Sequence, residues 1–491
     1  MKEKAAIIGA GIGGMASAIR LWSQGYDVSV FEKNPQVGGK MGQVHAQGYR
    51  FDTGPSVFTM PELVDQLFRE AGEDPRQYYR YDKLEQSCRY FYEDGTTIDA
   101  YSDPEHFIRE LTFKTGEPAK NIRRFLKKSR TIYDLTADLF MFHSIHDVAS
   151  LFSARNFKAL MQFGKIDAFR TMHQSNRKVF QNDKLVQLFN RYATYNGSDP
   201  YRIPATFNII AHLEHNLGVY YPRGGIFSIA AAMQKLIEEK NIQVHLNQPV
   251  HRLIPKGRTI PSVVTDAGQA HFDHVVSNMD VSLLYENVLP EKKKLSRARK
   301  PEKSTSALIF YWGIQREFAR LNLHNILFSG DYPREFEYLF THKEIYSDPT
   351  VYIYISSKAV AGDAPGGHEN WYVMVNAPED TGQNWSRVRR EARKNIISKI
   401  NRMLDIQIQD YIDYEQVYDP PAIGAHTASY HGALYGNSSN DRFAAFNRHP
   451  NFSNTYRNLY FTGGSVHPGG GIPLVLSGAR IVSEKIRKNA Y

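Results

Sequence analysis

Gly9, Gly11, Gly13 and Gly14 follow the apolar run Ala5 to Ile8, and Glu32 closes a second apolar run that starts at Val28. A glycine turn between a strand and a helix presents backbone N–H groups at the positive end of the helix dipole, which is chemistry for holding phosphate. Gly9 permits the turn, Gly11 lets the backbone approach a pyrophosphate with no Cβ in the way, and Gly14 lets the helix lie close on the strand. Ile12 lies within the glycine turn, and Lys33 follows the acid. Glu32 stands close to the offset of roughly twenty residues at which a carboxylate accepts ribose hydroxyl hydrogens, which favours an unphosphorylated ribose.

These residues need a strand, a tight turn, a helix and a second strand to place them. Met15, Ala18, Ile19 and Trp22 recur at helical spacing after the glycines, and Asp27 to Phe31 reads as the second strand. Gly38-Gly39-Lys40-Met41 then sets a second flexible turn beside the same pyrophosphate. With this pair of turns the sequence resembles the flavin-dependent amine oxidases and carotenoid desaturases. The resemblance implies an α/β protein with a Rossmann-like FAD-binding domain and an inserted mixed α+β substrate domain. FAD is the implied cofactor, with Gly39, Lys40 and Met41 in its site.

Other blocks carry the same resemblance. Gly48 to Ser56 is similar to the stretch that approaches the flavin ring, with Gly54, Pro55 and Ser56 at its end. Pro222-Arg223-Gly224-Gly225 is similar to the turn that re-enters the FAD domain, and Val250 matches the residue that meets the adenine by its backbone. The last block, Gly463-Gly464 through His467-Pro468-Gly469-Gly470-Gly471-Ile472-Pro473, opens a helix whose N–H groups would face the pyrimidine edge of the flavin. Amine oxidases usually carry a Gly-Glu block here, whereas His-Pro-Gly-x-Gly-Ile-Pro resembles the bacterial-type carotenoid desaturases.

For that family the implied substrate is a hydrophobic carotenoid held in an apolar, aromatic tunnel that opens toward a bilayer. Thirty tyrosines and 28 phenylalanines suit such a tunnel, and suit an ordinary core as well. Arg191 to Tyr201 is similar to the segment of desaturases that act on hydroxylated or methoxylated ends at the 3,4 position. Thr194, Tyr195 or Asn196 would then recognise a terminal hydroxyl; the plainer reading is a helix end, a turn and a satisfied core phenol. Tyr195 and His467 are the candidate catalytic residues, although delocalisation of charge over a polyene removes the need for a strong base. Phytoene or diapophytoene desaturation, isomerisation and terminal oxidation are competing activities on this scaffold; a soluble amine oxidase and a non-catalytic flavin-binding protein are competing classes. The electron acceptor is not legible.

Composition sets outer limits. The chain of 491 residues is longer than one typical core, and 42 % hydrophobic with 23 % charged residues is ordinary for a folded protein. The family resemblance divides it into FAD-binding segments 1–106, 220–282 and 419–491 and substrate segments 107–219 and 283–418. Cys88 is the single cysteine, so no intramolecular disulfide forms, and no metal site is proposed. No apolar run reaches roughly eighteen residues, so no spanning helix is expected, and a strand at the start leaves no room for a leader; the reading is cytoplasmic and peripheral on a membrane. A net charge of +9 points to an anionic surface. Basic residues 120–130 and Lys158, Lys165, Arg170, Arg177 and Lys178 interleave with large apolar ones, as in an interfacial helix or a solvated charged face. No nucleic-acid-binding signature accompanies the charge.

Overall fold

The computed structural model describes residues 2–147 and 166–489. Lys158 and Lys165 of the proposed interfacial stretch therefore lie outside the described residues.

Strand Lys4–Ile8 is the middle of a five-stranded parallel sheet, flanked by Asp27–Phe31 and Gln243–His245 on one side and by His274–Ser277 and Leu459–Phe461 on the other. Its alternating faces enter different cores, because successive strand side chains point in opposite directions. Ala5 and Ile7 pack with Met15, Ile19, Met233 and Leu476 from the helices Ile12–Ser23, Phe227–Glu239 and Ile472–Asn489. Ala6 and Ile8 pack with Leu253, Ile260 and Val263 of a three-stranded meander.

A second, seven-stranded mixed sheet runs in the order Ile412–Tyr418, Ser306–Ile314, Glu369–Ala377, Val351–Ile355, His324–Leu327, Gln86–Phe91, Thr97–Tyr101. Helix Trp385–Leu404 covers one face, against Leu308, Phe310, Trp312, Val373 and Val375. The alternate residues Ile309, Tyr311, Tyr354 and Tyr372 turn toward the nucleotide-type fold and join its core. Helices Pro104–Thr115, Ala119–Met141, Met172–Val179 and Asp183–Asn190 pack around Tyr90, Tyr92 and Phe328 at one end of the sheet. The chain is thus a mixed α/β protein with a parallel sheet and a separate mixed sheet.

Gln86–Phe91 and Thr97–Tyr101, placed within 1–106 as FAD-binding, are strands of the mixed sheet, with Phe91 in parallel register with Leu327. That pairing joins residues far apart in sequence, which local periodicity does not report.

A buried acid ties the two halves together. The Asp52 carboxylate accepts the N–H groups of Ile226 at 2.9 Å and Phe227 at 3.0 Å, and the Tyr354 hydroxyl at 2.9 Å. Arg50 neutralises it at 2.9 Å and forks onto Asp363 at 2.6 and 2.7 Å. An acid at a helix N-terminus is favoured by the dipole. Here it fixes the Gly224-Gly225 turn against the mixed sheet.

Candidate functional site

A cavity of about 510 Å³ lies between the parallel sheet and the inward face of the mixed sheet. One end is walled by the two N-terminal glycine turns. Gly11 bridges to Gly38, and a Cβ added at Gly39 would stand 3.1 Å from the Gly11 Cα, so the turns touch through bare backbone. The first N–H groups of the helix Ile12–Ser23 have no acceptor within their own helix, and Gly11, Ile12 and Gly13 line the cavity. Gly14 does not line it. A Cβ there would lie 1.9 Å from the Gly9 carbonyl oxygen, so its role is helix-on-strand packing.

Glu32 is 6 % exposed and faces the same space. Its Oε2 accepts Ala10 N–H at 2.7 Å and its Oε1 accepts Asn34 N–H at 2.9 Å. Each carboxylate oxygen offers two lone pairs, so acceptor capacity remains for a ribose hydroxyl. The two lysines of the sequence-based set brace the wall. Lys33 donates to the Ala425 carbonyl at 2.6 Å, and Lys40 donates to those of Leu434 at 2.5 Å and Ala433 at 3.3 Å. Burial brings the Lys40 ammonium down to about 8, against a smaller opposing pull from Asp280.

Further along, Met41, Gly54, Pro55, Ser56, Val250, Gly463, Gly464, Gly471, Ile472 and Pro473 all border the cavity, as do Gly9 and Gly39. Gly54 is required sterically: its φ is +88°, and a Cβ would meet the Lys40 carbonyl oxygen at 2.0 Å. Residues 54–56 are pinned to the mixed sheet, where the Tyr352 hydroxyl donates to Ser56 Oγ at 2.7 Å and also meets His324 Nδ1 at 2.8 Å.

Tyr195 also borders the cavity, with Arg191 and Thr194. Its hydroxyl donates to Glu214 Oε2 at 2.8 Å. Arg191 donates to the Tyr90 hydroxyl at 2.6 Å, to the Tyr195 hydroxyl at 3.3 Å and to Glu214 Oε1 at 3.4 Å. Burial alone would raise Glu214, but the Arg191 guanidinium leads the opposing effects and holds the carboxyl below its ordinary range. Burial pushes the Tyr195 phenol well up, so it is a neutral donor. The other polar side chains of this stretch are already engaged. Thr194 Oγ1 donates to the Arg191 carbonyl at 2.8 Å, and Asn196 donates to Ser439 Oγ.

His467 is not brought to the cavity. It is 2 % exposed, its Nε2 meets the His143 carbonyl at 2.8 Å, and burial lowers it to about 4, leaving a neutral imidazole that packs the back of its block. A histidine inside a loop motif says nothing of which side of the loop it faces, so the sequence could not separate lining from backing. Conversely, Ile309, Ile326, Thr350, Tyr352, Tyr372 and Met374 line the cavity and were not singled out. The period-two pattern of Tyr372, Met374 and Asn376 was the available signal; which face was inward required the second sheet.

Exposed backbone donors beside glycine turns, a ribose-competent carboxylate and an adjoining aromatic chamber fit a dinucleotide carrying a large ring. Residues 12–487 match the family described as flavin containing amine oxidoreductase, and the chain belongs to that family. It is an FAD-dependent oxidoreductase. The chain is 46 % identical over 484 residues, 99 % of each chain, to the 1-hydroxycarotenoid 3,4-desaturase of Flavobacterium sp. (strain P99-3). It is 32 % identical to the 4,4'-diapolycopene oxygenase of Methylomonas sp., over 99 % of this chain and 98 % of that one. Among solved structures, putrescine oxidase bound to putrescine aligns with a TM-score of 0.64 at 13 % identity, covering 100 % of this chain and 99 % of the other. Cyclohexylamine oxidase from Brevibacterium oxydans aligns at 0.59 and 14 %, over the full length of both. These two share the fold.

Proposed function

We propose that this protein is a carotenoid desaturase that introduces a double bond at the 3,4 position of a 1-hydroxylated carotenoid end. The observation that carries this reading is the end-to-end 46 % identity to an enzyme of that name. The chamber supports it: Ile309, Ile326, Tyr352, Tyr372 and Met374 give an apolar and aromatic wall beside the glycine turns.

In this reading Gly11, Ile12 and Gly13 hold the pyrophosphate of FAD, Glu32 its ribose and Val250 the adenine, while Gly54 to Ser56 and Gly463 to Pro473 enclose the ring. Bound FAD supplies the two-electron acceptor for dehydrogenation of a C–C bond. The protein's share is orientation and exclusion of water. The aromatic wall keeps the polyene in register, and delocalisation along the polyene lowers the demand on any base. Tyr195, fixed by Glu214 and Arg191, presents a polar spot in an otherwise greasy wall. Its one proton goes to Glu214, so a hydroxylated end would donate to the lone pair left on the Tyr195 oxygen; an unhydroxylated end leaves that lone pair desolvated, which discriminates.

Such a substrate arrives from lipid, and we read the protein as peripheral on a membrane. Among the described residues no helix is long and apolar enough to span one. Phe443 and Phe446 are 60 % and 51 % exposed. Phe446 stacks edge-on against Phe140 at the end of the basic helix Ala119–Met141, with ring centroids 5.8 Å apart. The test is incubation of purified protein with FAD and liposomes carrying hydroxylated or unhydroxylated acyclic carotenes. A red shift confined to hydroxylated substrates supports the reading. A shift with phytoene alone moves it to another desaturase, and terminal oxidation products move it to an oxygenase.

A further inference from the structure

Three arginines are fully buried among the described residues: Arg20, Arg191 and Arg448. Arg20 has Glu70 at 2.8 Å and Arg191 has Glu214 at 3.4 Å. Arg448 has only neutral partners. Its Nη1 donates to the carbonyls of Tyr435 at 3.3 Å and Gly464 at 3.4 Å. Its Nη2 donates to the Asn437 carbonyl at 3.1 Å and to Asn196 Oδ1 at 3.4 Å. Burial is the cause that lowers it, to about 10, and no acidic side chain acts against that. Residues 148–165, outside the description, contain no aspartate or glutamate.

The position of this lone charge is specific. Gly464 and Tyr435, whose carbonyls it holds, both line the cavity, as do Gly470 and Gly471. A Cβ added at Gly469 would stand 3.2 Å from the Arg448 Cζ. The guanidinium therefore sits directly behind the 463–473 block, separated from the cavity by a single layer of backbone. A buried ion without a counter-ion is costly, and it gains most from charge that develops across a thin, water-free wall.

We propose that Arg448 is a positioning and electrostatic residue whose counter-charge is the negative charge that the flavin ring gains on two-electron reduction. This rests on the reading that the 463–473 block faces that ring. Arg448 raises the reduction potential of the bound cofactor without touching it. Through Asn196 the same guanidinium holds the residue next to Tyr195, so the charge and the polar spot of the substrate wall share one anchor.

The test uses purified holoprotein and dye-coupled determination of the flavin midpoint potential, with sulfite titration as a second optical readout. Arg448→Met should shift the two-electron equilibrium at least tenfold toward the oxidised form, about 30 mV, and weaken sulfite binding in parallel. Arg448→Lys should restore most of both. An unchanged potential in an Arg448→Met protein that still carries flavin overturns the proposal. Should that variant not fold, the wild type decides: a potential at or below that of free FAD also overturns it. A wild type that binds no flavin at all defeats the underlying reading of the site, and the proposal with it.

Discussion

The Tyr195 hydroxyl donates to Glu214 Oε2 across 2.8 Å, with Arg191 closing the triangle. Tyr195→Phe removes the phenolic oxygen, with the lone pair it has left for a substrate hydroxyl, while keeping the ring that borders the cavity. The expected result is a loss of about tenfold in the kcat/KM preference for hydroxylated over unhydroxylated carotenes, the size of one buried hydrogen bond to a charged network. Competition between the two substrates in one liposome preparation measures it. Equal preference in wild type and variant would remove Tyr195 from recognition.

Glu214→Gln leaves the Arg191 guanidinium, 6 % exposed, without its anion. Breaking a buried pair from one side costs about 3–5 kcal/mol. The variant should unfold at a lower urea concentration with an unaltered slope. A midpoint within error of wild type would mean that the tyrosines alone satisfy the guanidinium.

Burial of the imidazolium lowers His215, His449 and His467 to about 4 and His324 to about 3, from an ordinary 6.5. Below about pH 6.5 the unfolded chain binds protons at these sites and the folded chain does not. Their contribution is complete above 6.5 and is lost as pH falls toward 4. Asp199, raised by burial to about 6, and Glu335, raised by burial to about 7, act in the opposite sense but are fewer. Urea midpoints should therefore fall from pH 7 to pH 5; a rise would contradict neutral buried histidines.

Gly14→Ala places a Cβ 1.9 Å from the Gly9 carbonyl oxygen, against backbone that cannot yield cheaply. Helix Ile12–Ser23 must then lift from its strand, and flavin absorbance should be lost on desalting. Gly366→Ala, where a Cβ meets nothing within 4 Å, is the control and should retain it. Flavin retained by both would detach the glycine turn from cofactor binding.

Phe443→Ser with Phe446→Ser removes two exposed rings. Flotation with anionic vesicles should drop severalfold, while turnover of detergent-solubilised substrate is preserved. Undiminished flotation would place the membrane contact elsewhere on the molecule.

The sequence by itself determined the parts whose conformation is local. A glycine at 9, 11, 14 or 54 sets what its own turn can do, and an acid after the second strand can stand only at that strand's end, so the glycine turns and the acid beside them were legible in the sequence as local features. Tertiary structure decided everything that depends on facing. It put Gln86–Phe91 into the mixed sheet, turned Tyr352 and Tyr372 inward, directed His467 away from the cavity and Tyr195 toward it, and left Arg448 without an acid. The physical reason is that a side chain's neighbours across a cavity come from segments hundreds of residues distant, and the period of a strand or helix gives two faces without saying which one the rest of the chain will cover.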